Sequence, residues 1–328
     1  MKVTRDMIDR ELRFRGQVLG VLMKILFFRE MGLRVTKRLA KTVLKGSRSE
    51  KLDCQEDYIE KRGGGKLRVR IYKSLQPAEK ATGILWIHGG GYAIGAPEMD
   101  IGYMENLIAS ANCVIVSPDY TLSVEKPYPA ALEDCYEALL WIKDNALTLG
   151  IRDDQLFVGG LSAGGGLTIA VALMARDKGE VNIAFMMPLY PMIDDRMDTE
   201  SAKNNNAPIW NSHSNKLGWN MYLRDLTDNN DVPKYAAPAR ETDYSCLPPA
   251  YTFVGDIEPF FNETVAFVGN LQKAGISAKV DVYKGCYHAF DTMCPNAAIS
   301  KQATERMLKE FRFAVENYYS KQDVDSCK

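Results

Sequence analysis

Between residues 80 and 320, short apolar runs alternate with stretches of helical periodicity. Residues 83–87, 114–117, 156–159, 184–189, 251–254 and 278–283 are short, rich in branched and aromatic side chains, and read as strands. The segments near 103–111, 130–146, 164–177, 262–274 and 299–319 repeat their apolar positions at three and four residues and read as helices. Upstream, residues 57–60 and 67–72 flank Arg62-Gly63-Gly64-Gly65 and predict a hairpin. Strands alternating with helices predict an α/β protein with a mostly parallel sheet covered on both faces.

Two segments break this rhythm. Residues 192–245 are polar and rich in Asn and Asp, with Trp210, Trp219 and Tyr222 among them. A structureless loop of that length does not suit a compact domain, so partial helix and a lid are expected. Residues 1–50 carry 13 Lys/Arg against 5 Asp/Glu, a net +8 that the rest of the chain offsets. Within them Leu19, Leu22, Met23, Leu26 and Phe27 recur at helical spacing. The expectation is an amphipathic helix packed on the main body, with peripheral contact to a lipid surface as the alternative. The apolar stretch at 16–28 is interrupted by Lys24 and too short to cross a bilayer, so neither an export signal nor stable membrane insertion is expected.

Composition narrows the classes further. Over 328 residues, 46% hydrophobic and 25% charged are ordinary globular values. The 41 basic and 42 acidic residues leave a net charge of −1, which gives no whole-protein footprint for nucleic acid. Seven cysteines, none in C-x-x-C spacing, and three histidines (His88, His213, His288) predict neither a disulfide framework nor a metal site. A reduced, cytoplasmic protein is expected.

The strongest chemical signal is Gly160-Leu161-Ser162-Ala163-Gly164, after a predicted strand and before a predicted helix. A serine on such a sharp turn has strained backbone angles, and its neighbours two positions away must lack bulk. The second signal is His88-Gly89-Gly90-Gly91-Tyr92 at the end of the strand at 83–87. Glycine amides can approach a carbonyl closely enough to hold a developing oxyanion. Gly90 and Gly91, with the amide of Ala163, are the expected donors, and Gly89 remains open. A serine nucleophile needs a base, which follows it in this chain order. Of the two later histidines, His213 lies in the presumed lid, whereas His288 follows the strand at 278–283. The orienting acid is expected in Gly255-Asp256-Ile257-Glu258, where Asp256 and Glu258 compete.

With these residues together, the chain resembles the hormone-sensitive-lipase-like branch of the α/β-hydrolase superfamily. The likeness covers roughly residues 80–320. It rests on His88-Gly-Gly-Gly-Tyr92, Gly160-Leu-Ser-Ala-Gly-Gly165, Pro118-Asp119-Tyr120, Tyr128-Pro-Ala-Ala-Leu-Glu-Asp134, Leu189-Tyr-Pro191 and Tyr287-His-Ala-Phe290. Thr121 stands where relatives usually carry Arg, and Leu161 where Asp or Thr is usual. The resemblance implies an eight-stranded α/β-hydrolase fold at 51–328, capped by helices from residues 1–50 and from an insertion at about 192–245. It implies a serine carboxylesterase for short- to medium-chain acyl esters, without cofactor or metal. An amidase or deacetylase, and a non-catalytic receptor, are the alternatives. The family's D-P-[LF]-x-D-E motif, laid on Glu258-Pro259-Phe260-Phe261-Asn262-Glu263, implies Glu258 as the acid. The resemblance also implies that Tyr92, Met23, Phe27, Trp210 and Trp219 line a substrate pocket. Its members often pair as homodimers.

Overall fold

The computed structural model describes residues 1–26, 45–76, 79–226 and 231–322. Its centre is one eight-stranded sheet: β1 (Leu52–Glu60), β2 (Lys66–Ser74), β3 (Ala81–Ile87), β4 (Cys113–Pro118), β5 (Ile151–Leu161), β6 (Phe185–Leu189), β7 (Ala250–Gly255) and β8 (Ala278–Tyr283). The order is β1-β2-β4-β3-β5-β6-β7-β8. β2 runs antiparallel to both neighbours and the other pairings are parallel. The predicted hairpin is the β1–β2 pair, closed at Glu60 and Lys66 around Gly64 and Gly65 in left-handed conformations.

β3, β4, β6 and β7 are buried along their whole lengths, as strands covered on both faces must be. Their side chains therefore divide by alternation. Leu85 and Ile87 join an apolar cluster with Leu139 of α3 (Ala130–Asp144), and Ala170 of α5 (Ala163–Lys178) belongs to the same cluster. Ile84 and Trp86 point the other way, into a cluster with Leu107 of α2 (Ile101–Ser110) and Phe311 of α9 (Ala298–Asn317). Between α3 and β5 lies the short α4 (Ala146–Leu149), α7 (Phe261–Lys273) follows β7, and the short α8 (Phe290–Met293) precedes α9. The chain reverses direction across the sheet between β3 and β5, and that reversal opens a crevice at the carboxyl ends of the strands.

The polar segment at 192–245 contains α6 (Ser212–Tyr222) and a short turn of helix at Pro238–Arg240. At the position of the unusual Thr121, the backbone N–H and hydroxyl both donate to Asp134. Lys61, from the β1–β2 hairpin, lies 3.0 Å from the same carboxylate and brings the positive charge from elsewhere in the chain. The six described cysteines carry free thiols. Among the described residues, no helix is long and apolar enough to cross a membrane.

Near the N-terminus, α1 (Arg13–Leu26) corrects one expectation about which face packs. Leu19 and Met23 lie towards the body, but Leu22 is half exposed beside Val18 and Val21. The buried side is set by Leu12, Gly16 and Gly20, whose spacing brings the helix backbone close to its neighbours. A β-carbon on Gly16 would lie 2.6 Å from the Tyr287 ring, while one on Gly20 would sit 3.4 Å from Pro208. Gly16→Ala is therefore expected to destabilise the fold by about 1–3 kcal/mol, because the buried Tyr287 ring has nowhere to move. Gly20→Ala should be neutral or stabilise by up to about 1 kcal/mol through helix propensity. Denaturant unfolding of both variants checks the contrast; equal effects would contradict it.

Candidate active site

Loops following β3, β5, β7 and β8 meet in the crevice at the carboxyl ends of the strands. Ser162 stands between β5 and α5 with φ 57° and ψ −117°, a conformation that costs an L-residue about 1–3 kcal/mol. The surrounding backbone holds it there. Its N–H donates to the Leu189 carbonyl at 3.0 Å, and its carbonyl accepts from Gly166 and Met192. A β-carbon on Gly160 would lie 2.4 Å from the Ile87 carbonyl oxygen, and one on Gly164 only 2.0 Å from the same atom. Both glycines are required by close backbone packing.

His288 reaches this serine from the loop after β8. Its Nε2 lies 2.8 Å from Ser162 Oγ, and its Nδ1 pairs with Glu258 Oε2. A carboxylate on Nδ1 makes that nitrogen the donor and leaves Nε2 to accept from the hydroxyl. The other Glu258 oxygen accepts from the Gly255 amide at 2.9 Å, so the carboxylate cannot swing away without losing two bonds. Tyr190 and Phe260 hold the imidazole edge-on, with centroids at 5.0 and 4.9 Å. All three polar residues are buried.

Asp256, the competing carboxylate, is directed elsewhere. Its Oδ1 accepts from the Gly285 amide at 2.6 Å and its own amide donates to Tyr283, so it ties the two loops together. Their approach depends on Gly255, where a β-carbon would fall 2.0 Å from the Cys286 carbonyl oxygen. The other two histidines lie apart from this chemistry. His88 is buried, stacked on Tyr120 at 4.2 Å, with Nδ1 2.8 Å from the Gly89 carbonyl. His213 is exposed in the first turn of α6.

Gly89, Gly90 and Gly91 line one cavity with Ser162 and His288. Gly90 has φ 120° and Gly91 φ 61°, which aim this loop's backbone in a direction other residues resist. Gly90 uses its carbonyl to accept from Ala93 and Ile94. Among the described residues, the loop and turn hydrogen bonds use none of the amides of Gly90, Gly91 or Ala163. Ala163 is the first residue of α5, so its amide belongs to the positive end of a sixteen-residue helix.

The cavity measures about 120 Å³. Met23, Ile94, Met99, Ile209, Trp210 and Met293 supply apolar wall, and Asp100 is a carboxyl among them. Met23 and Trp210, which the resemblance implies as pocket residues, line this cavity. Tyr92 and Trp219 do not line the cavity. The Tyr92 hydroxyl donates to the Met192 carbonyl and its ring stacks on Tyr222 at 4.0 Å, while Trp219 packs against Tyr92 at 5.5 Å. These rings form the support behind the glycine loop. Phe27 lies outside the described residues. Ile209, Met99 and Met293 carry no sequence signal that separates them from other buried apolar side chains.

Comparisons with known proteins find similar chains over most of the length of this one. The sequence profile of a family described as alpha/beta hydrolase fold matches residues 84–292. The chain is 30% identical to an arylesterase of Saccharolobus solfataricus over 276 residues, covering 80% of this chain and 84% of that protein. It is 29% identical to esterase LipI of Mycobacterium tuberculosis, covering 76% and 78%. Among solved structures, a bacterial heroin esterase superposes with a TM-score of 0.85 at 30% identity, covering 95% of this chain and 99% of that one.

Proposed function

Because the chain belongs to the α/β-hydrolase-fold family and is a carboxylic ester hydrolase, we propose that it acts on short- to medium-chain acyl esters through an acyl-enzyme on Ser162. The observation that carries this reading is the Ser162–His288–Glu258 chain of hydrogen bonds beside a glycine loop. In the first half-reaction, Ser162 Oγ attacks the ester carbonyl carbon while His288 Nε2 takes the hydroxyl proton. The imidazolium that forms is stabilised by Glu258. The carbonyl oxygen becomes an oxyanion held by the amides of Gly90, Gly91 and Ala163, with Gly89 as the adjoining alternative. Donors already fixed in place need no reorganisation when that charge appears. His288 then protonates the departing alcohol. Water, deprotonated by the same nitrogen, attacks the acyl-enzyme and frees the acid and the serine.

The described parts of residues 1–50 and the segment at 192–245 act as the cap in this proposal. Met23 from α1 and Trp210 from the second segment support it, because both face the cavity from outside the sheet. The cavity is well below the roughly 300–1,000 Å³ of sites enclosing drug-sized ligands, which favours small acyl groups. Turnover of p-nitrophenyl esters from acetate to palmitate tests this. The expected result is serine-dependent hydrolysis that falls beyond medium chain lengths. Sustained palmitate hydrolysis would overturn the chain-length assignment, and no turnover of any ester would overturn the esterase.

A further inference from the structure

We propose that Asp100 is a specificity-determining residue of this cavity, selecting esters that carry a basic amine on the arm entering it. The proposal rests on the ester-hydrolase reading of the same site.

Asp100 ends the short helical turn Pro97–Asp100 and occupies the N-cap position of α2. An aspartate there ordinarily accepts from an amide of the first helical turn. This one makes no such bond. Its side chain is instead turned under the glycine loop, where Oδ2 accepts from Trp86 Nε1 at 3.0 Å. The residue is only 6% exposed, yet it lines the cavity that holds Ser162 and His288. Neither helix capping nor an ion pair accounts for it: among the described residues, no lysine or arginine bridges to its carboxylate.

Among the described residues, the groups around Asp100 supply no counter-charge. Asp291 lies nearby and accepts from the Tyr103 hydroxyl. Burial holds the phenols of Tyr103, Tyr120 and Tyr190 well above their usual range, so all three are neutral. His288 lines the same cavity and is already committed to Glu258. Burial pushes the Asp100 carboxyl up to about 7, opposed by the Trp86 bond and reinforced by the Asp291 charge. As pH rises through that value, a carboxylate that holds the Trp86 bond but no ion pair among the described residues appears in a mostly apolar wall. Such a charge is costly to leave alone, and an ammonium N–H on the substrate is its natural partner. A hydrocarbon arm of the same shape leaves it unpaired, and a buried polar group left unpaired is what generates discrimination.

Two matched pairs test the proposal. For the alcohol arm, 2-(dimethylamino)ethyl acetate is compared with 3-methylbutyl acetate. For the acyl arm, p-nitrophenyl 3-(dimethylamino)propanoate is compared with p-nitrophenyl 4-methylpentanoate. Within each pair the shapes match and the charge differs. In one pair, the wild-type ratio of kcat/KM, amine over hydrocarbon, should exceed that of Asp100→Asn by at least about tenfold. In the wild type that ratio should also rise between about pH 6 and about pH 8, where an aliphatic amine stays largely protonated. The wild-type pH profile stands by itself if the variant fails to fold. Hydrocarbon esters turned over with equal ratios in both proteins, or with a ratio flat in pH for both pairs, would overturn this proposal alone. No turnover of either hydrocarbon ester would overturn the hydrolase reading as well.

Discussion

Ser162→Ala is expected to lower kcat on p-nitrophenyl acetate by at least about 10⁴-fold while leaving the fold intact. The size follows from what the hydroxyl alone supplies. Without Oγ no acyl-enzyme forms, and the glycine amides can only hold the carbonyl for attack by unassisted water. The fold survives because the turn is fixed by backbone contacts, not by the side chain: Leu189, Gly166 and Met192 bond the main chain of residue 162. Losing the bond to His288 should change stability by no more than about 1 kcal/mol. Steady-state turnover and denaturant unfolding, measured on the same preparation, check both halves. Activity retained in a folded variant would refute the nucleophile.

Glu258→Gln is expected to cost roughly 10³–10⁴-fold in kcat, whereas Asp256→Asn should stay within about threefold. Glutamine keeps the size of the side chain but removes the charge that stabilises the imidazolium. Its amide group also permits the wrong ring tautomer, with Nε2 protonated and unable to accept from Ser162. Asparagine at 256 retains a carbonyl oxygen for the Gly285 amide, which is the hydrogen bond Asp256 Oδ1 accepts among the described residues. The two variants together therefore separate loss of catalysis from loosening of the loops. The reverse pattern of losses would transfer the acid role to Asp256.

The strands and main helices were legible because their burial is written into the apolar pattern. A parallel strand covered on both faces reads as a short continuous run, and every such run between 80 and 320 lies within or overlaps a strand of the sheet. The serine turn was legible for a related reason. Its signal is local, with Gly160 and Gly164 two residues either side of Ser162 and a helix beginning at once, although the carbonyl those glycines make room for belongs to Ile87 of β3. The outward face of α1 was misjudged because periodicity ranks side chains by polarity. The structure instead packs the helix through glycines, which carry no hydrophobic signal. Tyr92 and Trp219 were expected in the wall on resemblance, which does not separate an aromatic residue in a site's wall from one in the layer behind it.

By itself the sequence determined what adjacent residues enforce on one another: the sheet, the strained serine between small neighbours, the glycine loop after β3, and a histidine late in the chain. The choice between Asp256 and Glu258 facing the imidazole was left to the tertiary structure, where Gly285 claims one and His288 the other. So were the cavity walls, drawn from α1, the glycine loop, residues 209–210 and the end of β8's loop. It alone turned Asp100 away from its helix and into that cavity. The reason is one of range: steric demands on a turn act over two or three residues. The partner of a carboxylate depends on how separate loops, here about thirty residues apart, come to lie against each other.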